Sequence, residues 1–502
     1  MPWPRRRRTR TARLTAIAIL VFAVTASGPA SGPASAGAPL QVVSTDPYVN
    51  PDSFHATEVE PDSFAVGNTI VSAFQVGRAQ SGGASNIGWA RSDDGGVNWT
   101  NGFLPGITVN AGGTYERVSD PVVAYDAMHD VWMISTIGID LTGNPPVPDR
   151  VDVIASRSTD GAMNWQDPVP VAVPAKTKFL DKNWTVCDNH PTSPFYGNCY
   201  TEYDIATGPP NQAVRMRTST DGGLTWGPAT GVDGRLLGVG GQPVVQPNGT
   251  VIVPIARTTP TSEPTVAMAA FRSTDGGQTW GDVVTIANVL TFAGRAFVRN
   301  AVIPNAAVDD NGKVYVVWTD CRFEPLCSAN DVVMSTSTSG VDWTPIRRIP
   351  VNRRGADRQH MVPAIEVQPG TTGGGAHLAV LTYYFDEANC RTNECWLHAA
   401  YLSSTNGGKS WSDKTRLGNR MRLPWLPVTS IGHMFGDYLA VSFAPDGKAV
   451  PVIPLAQPPV GSTMDVAMYA TRLNVTGGGL APAPFEPVAA ATPLAPQVPG
   501  LN

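Results

Sequence analysis

The loops between the apolar runs of this chain hold the side chains able to do chemistry. Ahead of successive runs stand Glu60 and Asp62, Arg117 and Asp120, Asp181 and Lys182, Arg299, Arg358 with His360, and His433 with Asp437. Between paired runs stand Arg78, Asp320, Arg322 and Asp386. An arginine fork binds a carboxylate bidentately, and two carboxyl groups flanking a glycosidic bond can divide the work of acid and base. A ring of such groups around one opening suits a polar or anionic sugar. Taken singly, each also suits an ordinary salt bridge, so their joint placement decides.

Bringing loops about sixty residues apart to one opening requires a repeat architecture. One short motif is written six times: Ser92 to Trp99, Ser158 to Trp165, Ser219 to Trp226, Ser273 to Trp280 and, more weakly, Ser337 to Trp343 and Ser404 to Trp411. Each copy lies between two apolar runs, which is the grammar of strand, turn, strand. Glycine supplies positive φ, Ser and Asp side chains bond backbone N–H groups within the loop, and Trp covers the turn. Every part has a structural duty, so the motif is expected to staple turns. The fifth copy carries Ser339 and the sixth Asn406 where the others have Asp.

A second pattern separates the boxes, an apolar run followed by a turn and another apolar run. Examples are Pro121–Tyr125 with Val131–Ile134, Pro243–Val245 with Val251–Val253, Ala306–Val308 with Val314–Trp318, and Ala364–Val367 with Leu378–Leu381. Similar pairs start near Phe64, Asp204 and Tyr438. Seven units of four strands predict an all-β fold, a β-propeller with seven blades favoured and six as the alternative. Leu40–Val43 is expected to supply the outer strand missing from the last unit and so close the ring. The boxes then lie on one rim. The loops ahead of the first strands, and those between second and third strands, open on the other.

The box motif resembles the Asp-box, or BNR, repeat of the sialidase superfamily, across nearly all of residues 60–475. The resemblance implies an exo-alpha-sialidase-like glycoside hydrolase, with an arginine triad on the substrate carboxylate, an Asp acid/base and a Tyr nucleophile activated by Glu. Carried onto this chain, the triad falls to Arg117, Arg299 and Arg358, with Arg322 in reserve. The acid/base falls to Asp62 or Asp120. The nucleophile falls to Tyr384, which reads equally as a sheet aromatic, with Glu202 beside Tyr203 as a candidate partner. The family's Phe-Arg-Ile-Pro motif is absent. Two other readings stay open. A polysaccharide lyase acting on uronic acids would need a Tyr or His base beside a charge-neutralising Arg, with His190, His360 and His433 as the histidine candidates. A non-catalytic propeller would bind glycan or protein.

Composition sets the remaining bounds. Of 502 residues, 42% are hydrophobic and 15% charged, enough for one large core rich in turns. Acids outnumber bases 41 to 36. Arg5–Arg8, Arg10 and Arg13, the apolar stretch Leu14–Val24 and Ala34-Ser35-Ala36 read as a secretory signal over residues 1–36. Its removal leaves a more acidic chain, which argues against nucleic acid and anionic membranes as partners. The expectation is a secreted or extracellular monomer acting on a glycan or glycoconjugate, with cell-surface association left open. One propeller domain is expected over 37–475, then a disordered Pro/Ala-rich tail over 476–502. Export permits disulfides, and the six cysteines fall into close pairs: Cys187 with Cys199, Cys321 with Cys327, and Cys390 with Cys395. All three pairs, and His190, are expected on the functional rim. No spacing supports a zinc site, and no cofactor or metal is expected.

Overall fold

The computed structural model describes residues 39–480 apart from 144–146, 175–177, 207–211, 233–235, 260–265, 295, 388–389 and 391–393. The expected signal segment and residues 481–502 of the expected tail lie outside the described residues.

The chain is all-β, with helix confined to single turns of three residues among the described residues. No described helix is long and apolar enough to cross a membrane. Among the described residues, a four-strand antiparallel meander recurs seven times. The first unit runs Glu58–Val66, Thr69–Arg78, Ala84–Ser92 and Thr100–Phe103. The last runs Ala440–Phe443, Ala449–Val460 and Thr463–Ala470, and its fourth position is taken by Gln41–Val42 from the N-terminal side. The alternation of small and branched residues on these strands lets both faces pack, and apolar clusters form between consecutive units. Tyr315 and Met334 of the fifth unit meet Leu378 and Trp411 of the sixth. Leu381 and Leu417 of the sixth meet Phe435 and Leu455 of the seventh. Phe74 and Val76 of the first meet Val452 and Met468 of the seventh. Each first strand packs on those of its neighbours, and Ala440–Phe443 packs on Glu58–Val66. Together the first strands line a cavity of about 420 Å³.

The boxes occupy the turns between third and fourth strands. Ser92 Oγ accepts from Gly96 N at 2.8 Å, and Asp94 Oδ1 accepts from Asn98 N at 2.9 Å. Ser339 takes over the second task, accepting from Asp342 N at 3.0 Å. Asn406 does the same for Ser410 N at 2.9 Å. The weak copies therefore fold as the strong ones do, because any short side-chain acceptor can reach those N–H groups.

Three placements differ from the sequence reading. The first strand of the third unit is Phe179–Cys187, not a run near Asp204, which lies on the second strand Cys199–Ala206. Asp181-Lys182-Asn183 breaks the apolar pattern of that strand and hides it. Consequently the Cys187–Cys199 disulfide joins first to second strand, at the end of the molecule that carries the boxes. His190, in the same loop, lies at that end too. The other two cysteine pairs, Cys321–Cys327 and Cys390–Cys395, are bonded in loops between second and third strands. Finally, the first strand of the fourth unit is split into Gly238–Val239 and Val244–Val245. A Cβ on Gly241, in the gap, would stand 2.8 Å from the Glu202 side chain.

Candidate functional site

That gap is one instance of a recurring break near the start of the first strands. Pairing slips between Val59 and Asp62, between Ser119 and Val122, between Asp181 and Trp184, and between Met361 and Ala364. At each slip one residue takes a left-handed conformation: Glu60 (φ 59°), Asp120 (φ 52°), Lys182 (φ 53°) and Val362 (φ 46°). Gly240 and Gly436 hold positive φ in the fourth and seventh units. A non-glycine residue there costs roughly 1–2 kcal/mol, and such strain persists only where surrounding contacts fix it. The bulge also re-aims the side chain. In the first three units the re-aimed groups are a glutamate, an aspartate and a lysine.

These three meet Asp437, the neighbour of Gly436. Lys182 Nζ lies 3.0 Å from Asp120 Oδ2, 2.5 Å from Asp437 Oδ2 and 3.9 Å from Glu60 Oε1. Arg299 Nε donates to Asp437 Oδ1 at 2.8 Å, and its terminal nitrogen donates to the other oxygen. Asp437 N donates to Glu60 Oε1 at 3.0 Å. Gln75 Nε2 donates to Glu60 and, at 3.0 Å, to Ser119 Oγ, and Gln75 Oε1 accepts from Arg78 at 2.6 Å. Ser119 Oγ donates to Asp120 Oδ1 at 2.6 Å. One network thus ties the first, second, third and seventh units to Arg299.

Burial alone would neutralise these groups, and their mutual charges divide them into two kinds. Burial opposes the charge on Lys182, but the carboxylates of Asp120, Asp437 and Glu60 outweigh it and raise the ammonium well above its usual range. Asp437 is likewise held far below the ordinary carboxylate range, because Arg299 and Lys182 overcome its desolvation. Glu60 is pushed up to about 7, by burial first and then by Asp120. Asp181 is pushed up to about 6 by burial, which the Lys182 charge offsets only in part. Burial and then the Arg299 charge lower the Arg78 guanidinium to about 10.

A small opening of about 80 Å³ lies over this network. Arg78, Asp120, Asp181 and Arg299 line it, with Gly82, Gly83 and the turn Thr429–Ile431. Among the described residues no group of three or more His, Cys, Asp and Glu is arranged to hold a metal ion. The carboxylates of Asp120, Asp437 and Glu60 converge on an ammonium instead.

Of the residues singled out from sequence, Asp120 and Arg299 share this opening. Arg117 borders it behind Gly83, held by Asp52 at 3.3 Å and by Ser81 Oγ at 2.7 Å. Asp62 lies in the cavity lined by the first strands, where it accepts from Val123 N at 2.8 Å and burial pushes it up to about 7. Arg322 forms a fork with Asp320 in the fifth unit, at 2.8 and 2.7 Å. Tyr384, Arg358 and His360 form a separate group around the sixth unit. Tyr384 is buried, stacked on His398 at 5.0 Å, and Arg358 bonds Asp386 at 3.1 Å. His360 is buried against Asn330 O at 2.8 Å, and burial lowers it to about 4. Glu202 is buried in the third unit beside Asp204 rather than at the opening.

Glu60, Arg78, Asp181, Lys182 and Asp437 stood in the loop inventory without being singled out. A signal for them exists: Glu60-Pro61, Asp120-Pro121, Lys182-Asn183, Gly240-Gly241, Val362-Pro363 and Gly436-Asp437 interrupt strand patterns at matching positions. Pro or Gly inside a strand marks a bulge.

Residues 148–363 match the family model of the BNR repeat-like domain. No curated protein matches. Similar solved structures include a protein of unknown function from Dyadobacter fermentans, at 16% identity over 73% of this chain and 99% of that one, TM-score 0.44. A Hadza microbial sialidase aligns at 14% identity over 82% and 74%, TM-score 0.45. An ulvan lyase bound to -[GlcA(1-4)Rha3S]- aligns at 12% identity over 84% and 94%, TM-score 0.49.

Proposed function

We propose that this BNR-repeat protein of the sialidase superfamily is a seven-bladed β-propeller that hydrolyses an anionic glycan at the Arg299 opening. The propeller reading is supported by seven meanders packed in chain order, with the seventh on the first and an N-terminal strand outermost in the last. One observation carries the chemistry. Asp181, a half-buried carboxyl pushed up to about 6, shares a small opening with Asp120 and two guanidiniums.

Each group then has a role. Arg299, held rigid by Asp437, and Arg78 attract the anionic substituent. Asp181 gives its proton to the glycosidic oxygen, a task suited to a carboxyl that titrates near working pH. Asp120, whose Oδ2 accepts from Lys182, stays available to take a proton from the attacking water. Lys182 and Asp437 position the others without touching substrate. Tyr384 has no part in this scheme. Residues 1–36 serve as a secretory signal, and the mature protein acts outside the cell as a monomer.

The test is turnover of a fluorogenic sialoside and of uronate-bearing oligosaccharides by purified protein, beside Asp181→Asn. Reducing-end release by the wild type, lost in the variant, supports hydrolysis. Unsaturated products would move the reaction to a lyase. No product from well-folded protein on any anionic glycan would leave binding as the function.

A further inference from the structure

The fourth strand of the sixth unit, Thr415–Arg422, outruns its neighbour in the fifth, Arg347–Arg348. Leu417 and Met421 turn into the core shared with the seventh unit. Arg416, Arg420 and Arg422 therefore take the opposite face. Arg416 and Arg420 are exposed. The guanidiniums of Arg420 and Arg422 lie 3.8 and 4.4 Å from the centroid of the Trp396 ring. Lys414 lies over the Tyr384 ring at 4.3 Å, and its ammonium reaches Asn352 of the fifth unit. Asp386 is occupied by Arg358 at 3.1 Å and His398 at 2.7 Å. Among the described residues, Arg416, Arg420 and Arg422 have no carboxylate partner.

We infer that this face of the sixth unit is a second glycan subsite, which grips the sulfate or carboxylate groups of an anionic chain away from the Arg299 opening. The inference rests on the glycan reading above. Three arguments carry it. The guanidinium carbons of Arg420 and Arg422 both lie against the Trp396 ring, and a guanidinium packed on an aromatic face keeps its in-plane N–H donors for an oxyanion. The three arginines span seven residues of one strand, about 20 Å, which suits a short oligosaccharide rather than one ion. The Trp396 ring already carries two cations, so it offers poor stacking to a nucleobase, and the chain as a whole is acidic. Charge on an exposed edge strand also protects it from pairing with other strands. That role needs no aromatic clamp.

The experiment is fluorescence anisotropy of a labelled heparin hexasaccharide with the full chain. Wild type and Asp181→Asn should bind alike, which separates this subsite from the catalytic reading. Arg420→Ala with Arg422→Ala should weaken binding by about tenfold or more, while turnover of a small fluorogenic substrate stays unchanged. Arg420→Lys with Arg422→Lys keeps the charge and loses the fork, and should fall between. Absence of wild-type binding overturns the inference. So does undiminished binding by either double variant, or a short DNA duplex bound as tightly as the hexasaccharide.

Discussion

Asp94 sits in a surface turn at one end of the molecule and Asp437 is buried at the other, yet both carboxyls are held below their ordinary range. Asp94 reaches about 2 through hydrogen bonds from its own turn, Asn98 N foremost. Asp437 depends on Arg299 and Lys182, groups from distant parts of the chain. The first arrangement closes within eight residues and recurs in six turns, with Ser339 and Asn406 standing for Asp in the last two. The second occurs once and exists only when several units are assembled. The comparison separates what the repeat does from what this protein does. Features repeated from unit to unit hold turns, and the charges that differ at matching bulges build the site.

The largest break in that comparison is Asp437→Asn. It leaves Lys182 and Arg299 short of counter-charge in a buried place and should cost about 3–5 kcal/mol in chemical denaturation, with turnover lost as well. Asp181→Asn should lower turnover by about 10²–10⁴-fold while the denaturation midpoint holds. The sign of its pH dependence follows from the raised carboxyl. The acid is protonated below about 6, so wild-type turnover should fall as pH rises through that value, and the variant should lose this limb.

Glu366 is a carboxyl that neither arrangement serves. Burial first, with a small contribution from Asp62, pushes it from its ordinary 4.5 to about 8. Between those values the fold keeps a proton that the unfolded chain releases. Stability should therefore decline as pH rises from about 4.5 to about 8, by up to roughly 1.4 kcal/mol per pH unit from this group. Glu366→Gln should flatten that decline in melts taken across the range. Asp94→Ala should cost only about 1 kcal/mol and leave turnover untouched, since one turn loses its staple. Ser339→Asp, which restores the common form of the fifth box, should raise the melting temperature slightly.

Much of the frame was legible in the residues. The boxes announce themselves because their hydrogen bonds are local, and so do Cys321 with Cys327 and Cys390 with Cys395, which sit a few residues apart. The N-terminal strand at Gln41–Val42 was anticipated from an unfilled fourth position. The third unit is hidden because Asp181 and Lys182 interrupt its first strand, and without that strand the pattern assigns Cys187, Cys199 and His190 to the opposite end. The residues that hide the strand are the ones that line or support the opening.

Sequence by itself determined the strand pairs outside the third unit, the six stapled turns and the local disulfides, since each rests on groups within a few residues or on an alternation of period two. Only the tertiary structure decided that Asp120 and Arg299 share an opening while Tyr384, Arg358 and His360 gather elsewhere. Every one of these side chains sits in a loop or strand end with similar local grammar. Which of them meet depends on the bulges that re-aim them and on the packing of whole units, and Coulomb coupling across hundreds of residues leaves no periodic trace along the chain.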